Sequence, residues 1–357
     1  MFKIIDRYII GKFLGTYVFA IVLILAITIM FDINEKLDAF LKAPLNATIF
    51  DYFVNFLPYF ANQFSPLFTF IAVIFFTSKL ADNSEIIAML SSGVSYKRLL
   101  RPYLVSAAVI AAVTFVLSAY IIPPANVKRI DYTNTYVRNK RVVYGQNIQM
   151  QVAPGQIAYM SSYNNTVKTG DRFSLERFDN KHLKSRLTAR SIIWKGGYQW
   201  TVKDYVIRDF TDNREIITKG RELDTIIPIE PRDFLISKND HETMTTPELQ
   251  EYIARQKERG VANIKGFEIE NHRRYAMTAA AFILTVIGMA LSSRKVKGGM
   301  GVNIGIGLVL SFSYILFMTV TSTFAVSGYT SPMVAMWIPN IIYAVIAVVL
   351  YRRASRG

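Results

Sequence analysis

The chain has 357 residues, of which 52% are hydrophobic and 19% are charged, and its formal net charge is +15. This composition excludes an ordinary soluble domain and also a chain that lies wholly within a bilayer, so apolar and polar blocks are expected to alternate. The sequence contains no cysteine, which excludes disulfide bonds, thiolate metal sites and cysteine nucleophiles.

The basic residues are distributed unevenly around the apolar stretches. On one inferred side, the short segments carry thirteen of them: Lys3, Arg7, Lys12, Lys79, Lys97, Arg98, Arg101, Arg294, Lys295, Lys297, Arg352, Arg353 and Arg356. The opposite short loops carry two, Lys36 and Lys42. By the positive-inside rule the richer side is cytoplasmic, so both termini are expected in the cytoplasm and the number of spans is even. Membrane topology therefore accounts for the charge better than nucleic-acid binding does.

Six uncharged stretches are long enough to cross a bilayer core of about 30 Å as helices. They are Phe13–Phe31, Tyr52–Ser78, Pro102–Ile122, Tyr275–Ser293, Val302–Phe324 and Val334–Tyr351. Pro58 and Pro66 predict a kink in the second stretch. The pair Pro123-Pro124 is expected to end the third, and a turn-rich segment, Ser327–Pro332, separates the fifth from the sixth.

Between residues 124 and 231 the pattern changes to an alternation of period two, rich in β-branched and aromatic residues, which predicts strands. The predicted strands are Val142–Val152, Gln156–Tyr163, Arg172–Phe178, Leu183–Trp194, Gln199–Phe210 and Glu215–Asp224. Turn signals between them favour an antiparallel sandwich or roll. Further on, Thr246-Pro247 is typical of a helix start and Gly260 of a helix end. The stretch Ile264–Arg274 is expected to lead into the fourth span.

These patterns together predict the fold class and its domains. The class is a membrane α-helical bundle of six transmembrane helices, with an all-β domain inserted between the third and the fourth on the extracytoplasmic side. Residues 1–123 would hold the first three helices, with a short cytoplasmic helix at 84–93. Residues 124–272 would form the β-rich domain with connecting helices, and 273–357 the last three spans.

Motifs for enzymatic chemistry are absent from the sequence. It contains no phosphate-binding loop, no G-x-S-x-G nucleophile elbow and no H-E-x-x-H metal pair. His182, His241 and His272 are far apart and lack the spacing of metal ligands. No residue is therefore assigned a catalytic, metal-binding or cofactor-binding role, and the chain is not expected to be an enzyme.

The connection between the second and third spans, residues 82–93, reads as a short capped helix. Asn83 or Ser84 is a candidate N-cap, and Gly93 is suited to the left-handed conformation that ends a helix. An apolar face is expected from Ile86, Met89, Leu90 and Gly93. Because so short a helix is unstable alone, it must dock on the bilayer surface, on the bundle or on a cytoplasmic partner. A simple interfacial connector remains an equally good interpretation of the residues themselves.

Two weaker signals concern helix packing and ligand contact. Gly301-x-x-x-Gly305 offers a flat face for close helix packing, either within the bundle or between molecules. Lys36 and Lys42 are the basic residues that an anionic lipid headgroup would meet first in the short outer loops.

Taken together, these features resemble the lipopolysaccharide-export permease family (LptF/LptG). The motifs that carry the resemblance are Ile5–Ile9 before the first span, Ser84-Glu85-x-x-x-Met89-x-x-Ser92-Gly93 in the connector, and Met336–Tyr343 at the start of the last span. The order of three helices, a β domain and three helices also agrees, over almost the whole chain.

The resemblance implies a subunit of the inner membrane that pairs with a paralogous permease on a dimeric cytoplasmic ATPase, which would use ATP and Mg²⁺. It implies export of lipopolysaccharide from the outer leaflet, with the first and fifth spans as lateral gates. The β domain would be a periplasmic jelly roll that stacks with jelly-roll bridge proteins towards the outer membrane. The coupling helix that contacts the ATPase would comprise Ser84, Glu85, Ile86, Met89, Leu90, Ser92 and Gly93.

Two other classes of function remain as alternatives. A structural or scaffolding envelope protein would bridge the inner membrane and the periplasm without transport, and its connector would bind no ATPase. A proton-driven secondary transporter would require carboxylates or paired charges within the spans, and the six uncharged stretches contain none.

Overall fold

The computed structural model describes residues 4–137, 144–179, 182–211, 214–234, 240–258, 264–294 and 299–356. Contacts divide the chain into two compact units. The helical unit comprises 1–137, 242–246 and 265–357, and the β unit comprises 138–241 and 247–264.

The α-helices are α1 (Ile4–Glu35), α2 (Leu37–Lys42), α3 (Leu45–Ala47), α4 (Val54–Gln63), α5 (Ser65–Asp82), α6 (Glu85–Ser91), α7 (Tyr96–Val116), α8 (Ile122–Tyr132), α9 (Pro231–Phe234), α10 (Thr246–Glu258), α11 (Lys265–Ser292), α12 (Gly299–Val326) and α13 (Pro332–Arg356). Turns of π-helix cover Thr48–Phe53, Leu117–Ile121 and Thr133–Val137, and a 3₁₀ turn covers Asp240–Glu242. The helix predicted to begin at Thr246 is confirmed, whereas its predicted end at Gly260 lies outside the described residues.

Six helices of the described chain are long and apolar enough to cross a membrane, which confirms the six predicted spans. They are α1, α5, the continuous run from Tyr96 to Val137, α11, α12 and α13. The lead-in helix before the fourth span is also confirmed, because α11 runs unbroken from Lys265 to Ser292.

The prediction that Pro123-Pro124 ends the third span is wrong. The helix continues through both prolines to Tyr132 and then into a π turn. The prolines lie at the start of α8, directly after the π turn Leu117–Ile121. Their missing N–H groups therefore fall where the hydrogen-bond ladder already changes, a position that tolerates proline.

The predicted kink in the second span is confirmed as a break. Helix α4 ends at Gln63, and α5 begins at Ser65 with Pro66 in its first turn. Helix α5 is the centre of the helical unit, since 78% of its membrane-length window is buried, against 6% for α1 and 22% for α12. It supplies Phe76 to one apolar cluster with Phe13 of α1, and it supplies Phe70 and Ile74 to another cluster with Leu284 and Tyr314.

The β unit contains one six-stranded antiparallel sheet in which every strand pairs with its neighbour in sequence. The strands are β1 (Tyr144–Ala153), β2 (Gln156–Asn164), β3 (Thr169–Asp179), β4 (His182–Gly196), β5 (Gln199–Thr211) and β6 (Arg214–Ile226). The predicted helical bundle with an inserted all-β domain is confirmed, and its strand order is a meander.

Alternation along the strands places one set of side chains in an apolar core. Phe173, Trp200 and Val202 are among its fully buried members, and Trp200 donates its indole N–H to the carbonyl of Ile229 at 3.0 Å. Tyr163 packs edge-on against Trp200, with ring centroids 6.2 Å apart. This packing fixes the inward face of the sheet, which period-two alternation alone left undecided because both faces contain aromatic residues.

Candidate functional site

Helix α6, the connector helix, lies at one end of the helical unit, where α1 starts, α5 ends and α7 starts. Ile86 is 1% exposed and belongs to the same buried cluster as Ile9, Phe76 and Tyr103, and Met89 packs against that cluster. The helix is therefore docked on the bundle along one face, as its shortness requires.

The two ends of α6 differ in how they are capped. The backbone of Ser84 is left-handed, with φ 61°, and its side chain makes no capping hydrogen bond. The prediction that Ser84 caps the helix with its side chain is therefore wrong. Asn83 instead donates to the Glu85 carboxylate at 3.2 Å. At the other end the backbone of Gly93 is left-handed, with φ +87°. The amide of Gly93 donates to the carbonyl of Leu90, and the amide of Val94 donates to the carbonyl of Met89. This is a Schellman motif, which confirms the predicted glycine stop.

The outer face of α6 is apolar and accessible. The side chain of Ile87 is 54% exposed, and Leu90, one turn further, is 38% exposed. The predicted apolar face is thus divided, because Ile86 and Met89 turn inwards while Leu90 lies at the outer edge. Ser84, Ser91, Ser92 and Gly93 are exposed around it, and the described part of the chain leaves this outer face uncovered.

Glu85 and the N-terminal motif are linked through hydrogen bonds. Tyr8 of α1 donates its hydroxyl to Glu85 Oε2 at 3.1 Å. Two residues earlier, Asp6 receives both Arg98 Nη1 at 2.7 Å and Arg98 Nη2 at 2.6 Å. The start of α1 is therefore joined to both α6 and α7, which sequence reasoning did not foresee from the motif.

The two basic residues expected at a lipid headgroup lie in different surroundings. Lys36 pairs with Asp32 and donates to the Tyr52 hydroxyl at 2.6 Å, so its ammonium is held inside the helical unit. Lys42, at the end of α2, is exposed and makes no ion pair with any residue that the structure describes. The structure does not bring these two lysines together through any described contact.

The glycines of α12 also differ from one another. At Gly301 and Gly305 a Cβ would meet nothing within 4 Å, whereas a Cβ at Gly307 would overlap the side chain of Ile74 on α5. The close approach of α12 to α5 therefore occurs at Gly307. Gly301 and Gly305 lie on an open face.

A polar cluster that sequence reasoning missed lies at the opposite end of the helical unit, where α5 and α11 begin. Glu270 pairs with Arg273 at 2.7 Å and with Arg274 at 3.0 Å. Glu242 pairs with Arg129 at 3.3 Å and accepts from the Tyr59 hydroxyl at 3.4 Å. Arg273 and Arg274 follow Glu270 by three and four residues on one helix. This spacing favours ion pairs, so it could have indicated the cluster from the sequence.

Two cavities adjoin this cluster, and Gln63, Pro66, Arg273 and Met277 line both. The larger cavity has a volume of about 260 Å³, and its lining is mainly apolar but includes Gln63 and Arg273. The break between α4 and α5 opens towards both cavities, since Gln63 ends one helix and Pro66 lies in the first turn of the next.

The fold defines a polytopic membrane protein, a helical bundle that carries an inserted antiparallel β domain. The family model for the lipopolysaccharide export system permease LptF/LptG matches residues 7–353. The chain therefore belongs to the LptF/LptG permease family, as its motifs indicated. A comparison with curated proteins found no match. At the level of the family, the chain is a permease component of lipopolysaccharide export, which is a transport subunit.

Proposed function

We propose that this chain is the permease subunit of an ATP-driven lipopolysaccharide exporter in the bacterial inner membrane. It takes lipopolysaccharide from the outer leaflet and passes it, through its periplasmic β unit, to a jelly-roll bridge towards the outer membrane. A separate cytoplasmic ATPase dimer hydrolyses ATP with Mg²⁺, and a paralogous permease completes the transport path. Family membership supports the export role.

The proposed contact with the ATPase is supported by the outer face of α6. Ile87 and Leu90 present apolar surface at helical spacing, on a helix that is too short to be stable unless docked. An amphipathic helix of this kind suits a hydrophobic groove on a partner protein. The end of the bundle that holds α6 also carries most of the basic residues of the short segments. By the positive-inside rule, this end is the cytoplasmic side.

Force applied to α6 reaches the transport helices through packed side chains. Ile86 lies in one buried cluster with Phe76 of α5 and Tyr103 of α7. Because such a cluster is close-packed, α6 cannot move without displacing α5 and α7. Of the predicted coupling residues, Ile86 and Met89 therefore transmit the movement, and Glu85 holds α6 against Tyr8 of α1.

The lipid-facing role of α1 and α12 is supported by their exposure. Only 6% of the membrane-length window of α1 and 22% of that of α12 are buried, and both helices carry large apolar side chains on the outside. Such surfaces face lipid or another helix bundle. They suit lateral gates that a paralogue borders, with Gly301 and Gly305 available for a close helix contact and Lys42 for a headgroup.

The experiment that tests this function is co-purification of the full-length chain from detergent-solubilised membranes, followed by mass spectrometry of bound proteins and lipids. We expect a soluble ATPase, a second permease and lipopolysaccharide. The variant Ile87→Glu should reduce ATPase recovery roughly tenfold or more, because it places a charge in the centre of an apolar contact.

The matched control is Ile217→Glu on β6, whose side chain is 50% exposed and thus similar to that of Ile87. This control should retain the ATPase. Envelope structural proteins without any ATPase would favour the scaffolding alternative. Equal ATPase recovery by the wild type and Ile87→Glu would refute α6 as the contact.

A further inference from the structure

Helix α1 is attached to the rest of the helical unit mainly near its two ends. Its buried residues are Asp6, Ile9, Phe13 and Asp32, so none lies between Phe13 and Asp32. At 1.5 Å per residue this stretch is roughly 28 Å long, close to the thickness of a bilayer core. Within it, a hydrogen bond of 2.8 Å joins the hydroxyls of Tyr17 and Ser65, one turn beyond Phe13. The attachment at Asp32 therefore decides whether the outer end of α1 stays against its neighbours.

The outer attachment is a triangle of polar side chains. Asp32 Oδ1 accepts from Lys36 Nζ and, at 3.2 Å, from the Tyr52 hydroxyl. The Lys36 ammonium also donates to the Tyr52 hydroxyl at 2.6 Å. Asp32 lies near the end of α1 and Lys36 directly follows this helix, whereas Tyr52 lies in the π turn before α4. The Tyr52 hydroxyl therefore makes both polar links between the two segments.

Aromatic rings surround these polar groups and limit their access to water. Tyr52 stacks on Phe56, with ring centroids 5.5 Å apart and planes at 9°, and packs against Phe40 of α2 at 5.3 Å. The Lys36 ammonium lies 5.2 Å from the centroid of the Tyr52 ring. Asp32 is 7% exposed and Tyr52 is 2% exposed. Because hydrogen bonds to charged groups are stronger where water is excluded, three side chains suffice to hold a helix end.

The triangle is not fully satisfied, which makes it easier to open than a complete ion pair. Asp32 Oδ2 is buried and accepts no hydrogen bond from any residue that the structure describes. Both donors meet the other oxygen. A buried carboxylate with an unpaired oxygen is costly, and this cost reduces the stability of the closed arrangement. At the inner end of α1, by contrast, Arg98 donates to both oxygens of Asp6.

The inner end of α1 is joined to α6, which the proposed function places against the ATPase. Tyr8 donates to Glu85 at 3.1 Å, and Ile9 and Phe13 lie in the same buried cluster as Ile86. Helix α1 is continuous over 32 residues and contains no proline, the commonest cause of a sharp kink. A movement of α6 is therefore passed along α1 to its outer end.

We propose that Asp32, Lys36 and Tyr52 form a latch, here called the outer latch, which holds the outer end of α1 against the π turn before α4. This inference rests on the proposed function, in which α1 borders a lateral gate. The latch opens when movement of α6, carried along α1, separates Asp32 and Lys36 from Tyr52, and lipid passes α1 only when it is open. In the closed state the Lys36 ammonium is paired with Asp32 and is therefore not available to a lipid headgroup.

The first test measures whether Tyr52 holds α1 in the absence of any partner. Tyr52→Phe removes the hydroxyl and keeps the stacked ring. In the full-length chain in detergent, we expect amide exchange over residues 29–42 to become roughly tenfold faster, because hydrogen bonds to charged groups are lost. The matched control is Tyr132→Phe, since the Tyr132 hydroxyl bonds Thr48 at 2.8 Å and makes no described bond to α1. This control should leave exchange over residues 29–42 unchanged.

The second test locks the latch covalently, and the absence of cysteine from the chain makes the labelling specific. In Lys36→Cys/Tyr52→Cys a short bifunctional methanethiosulfonate joins the two positions, and reductant removes it. The chain is placed in proteoliposomes with its ATPase and second permease. We expect the cross-link to lower ATP-dependent extraction of lipopolysaccharide at least roughly tenfold, and reductant to restore it, because a gate that stays closed withholds its substrate.

The control for the cross-link is Thr48→Cys/Tyr132→Cys with the same reagent. These two side chains are in contact beside the latch, since the rings of Tyr52 and Tyr132 are 5.2 Å apart, and neither belongs to α1. Cross-linking this pair should leave extraction unchanged.

Equal exchange in Tyr52→Phe and Tyr132→Phe would overturn the outer latch. Unchanged extraction by the cross-linked chain, or an equal loss in the control pair, would overturn it as well. If the wild-type chain recovers neither an ATPase nor lipopolysaccharide, the proposed function fails, and the exchange experiment still decides whether Tyr52 closes the outer end of α1.

Discussion

Asp6 and Arg98 form a bidentate ion pair that joins α1 to α7, with both N–O distances below 2.8 Å. The Asp6 side chain is only 5% exposed, whereas that of Arg98 is 28% exposed. Because a buried carboxylate without its partner is costly, this pair fixes the start of α1 against the connector region. The same end of α1 holds Glu85 through Tyr8.

The first prediction concerns this pair. Arg98→Gln should lower the free energy of unfolding, since it removes the positive charge that pairs with the buried Asp6 carboxylate. The double variant Asp6→Asn/Arg98→Gln should lose less, because neither charge remains. Thermal unfolding of the purified chain in detergent gives the double-mutant cycle. Strictly additive effects of the two single variants would show that the pair does not couple α1 to α7.

The second prediction separates the two faces of α6. Ile86→Ala should cost about 2–4 kcal/mol, because Ile86 is 1% exposed and its removal leaves a cavity in the cluster with Tyr103. Ile87→Ala, one residue further on the exposed face, should change stability by no more than about 0.5 kcal/mol. Chemical denaturation in mixed micelles measures both. Similar losses for the two variants would contradict the inward docking of Ile86.

The third prediction concerns the end of α6. Gly93→Ala should cost about 1 kcal/mol and speed amide exchange in α6, because alanine is strained at a φ of +87° although nothing lies within 4 Å of its Cβ. The control is Gly266→Ala, where a Cβ also meets nothing and the backbone φ is not positive. Hydrogen exchange detected by mass spectrometry distinguishes the two. Unchanged exchange in α6 of Gly93→Ala would show that the Schellman motif is dispensable.

The fourth prediction concerns the contact of α12 with α5. Gly307→Ala should cost about 1 kcal/mol, because its Cβ displaces the buried side chain of Ile74. Adding Ile74→Val should restore stability, since valine lacks the displaced Cδ1 atom. Thermal unfolding of the isolated chain is the measurement.

The matched controls for that contact are Gly301→Ala and Gly305→Ala, which meet open space. They should leave the isolated chain as stable as the wild type or slightly more stable, because alanine favours the helix. If they instead reduce recovery of the second permease, these two glycines lie in a contact between molecules. A loss of stability in the isolated chain would contradict the open face.

Much of the fold follows from the sequence because its signals are local. A membrane-spanning helix must satisfy its own backbone hydrogen bonds and must bury about 20 apolar residues in lipid, so hydropathy alone located all six spans. Period-two alternation and turn residues likewise located six strands within a few residues of their ends. The left-handed stop at Gly93 was predictable because it depends on the backbone of one residue.

Only the tertiary structure decided how these elements meet. The continuation through Pro123-Pro124 depends on a π turn that no local rule signals, and the division of α6 between Ile86 and Ile87 depends on which neighbouring helices cover it. The hydrogen bond of Lys36 to Tyr52 depends on how α1 packs against a segment 16 residues further along the chain. Arg273 and Arg274 are adjacent and identical in type, yet their side chains are 30% and 2% exposed, because Arg274 also bonds Thr246 and Met244, which are distant in sequence.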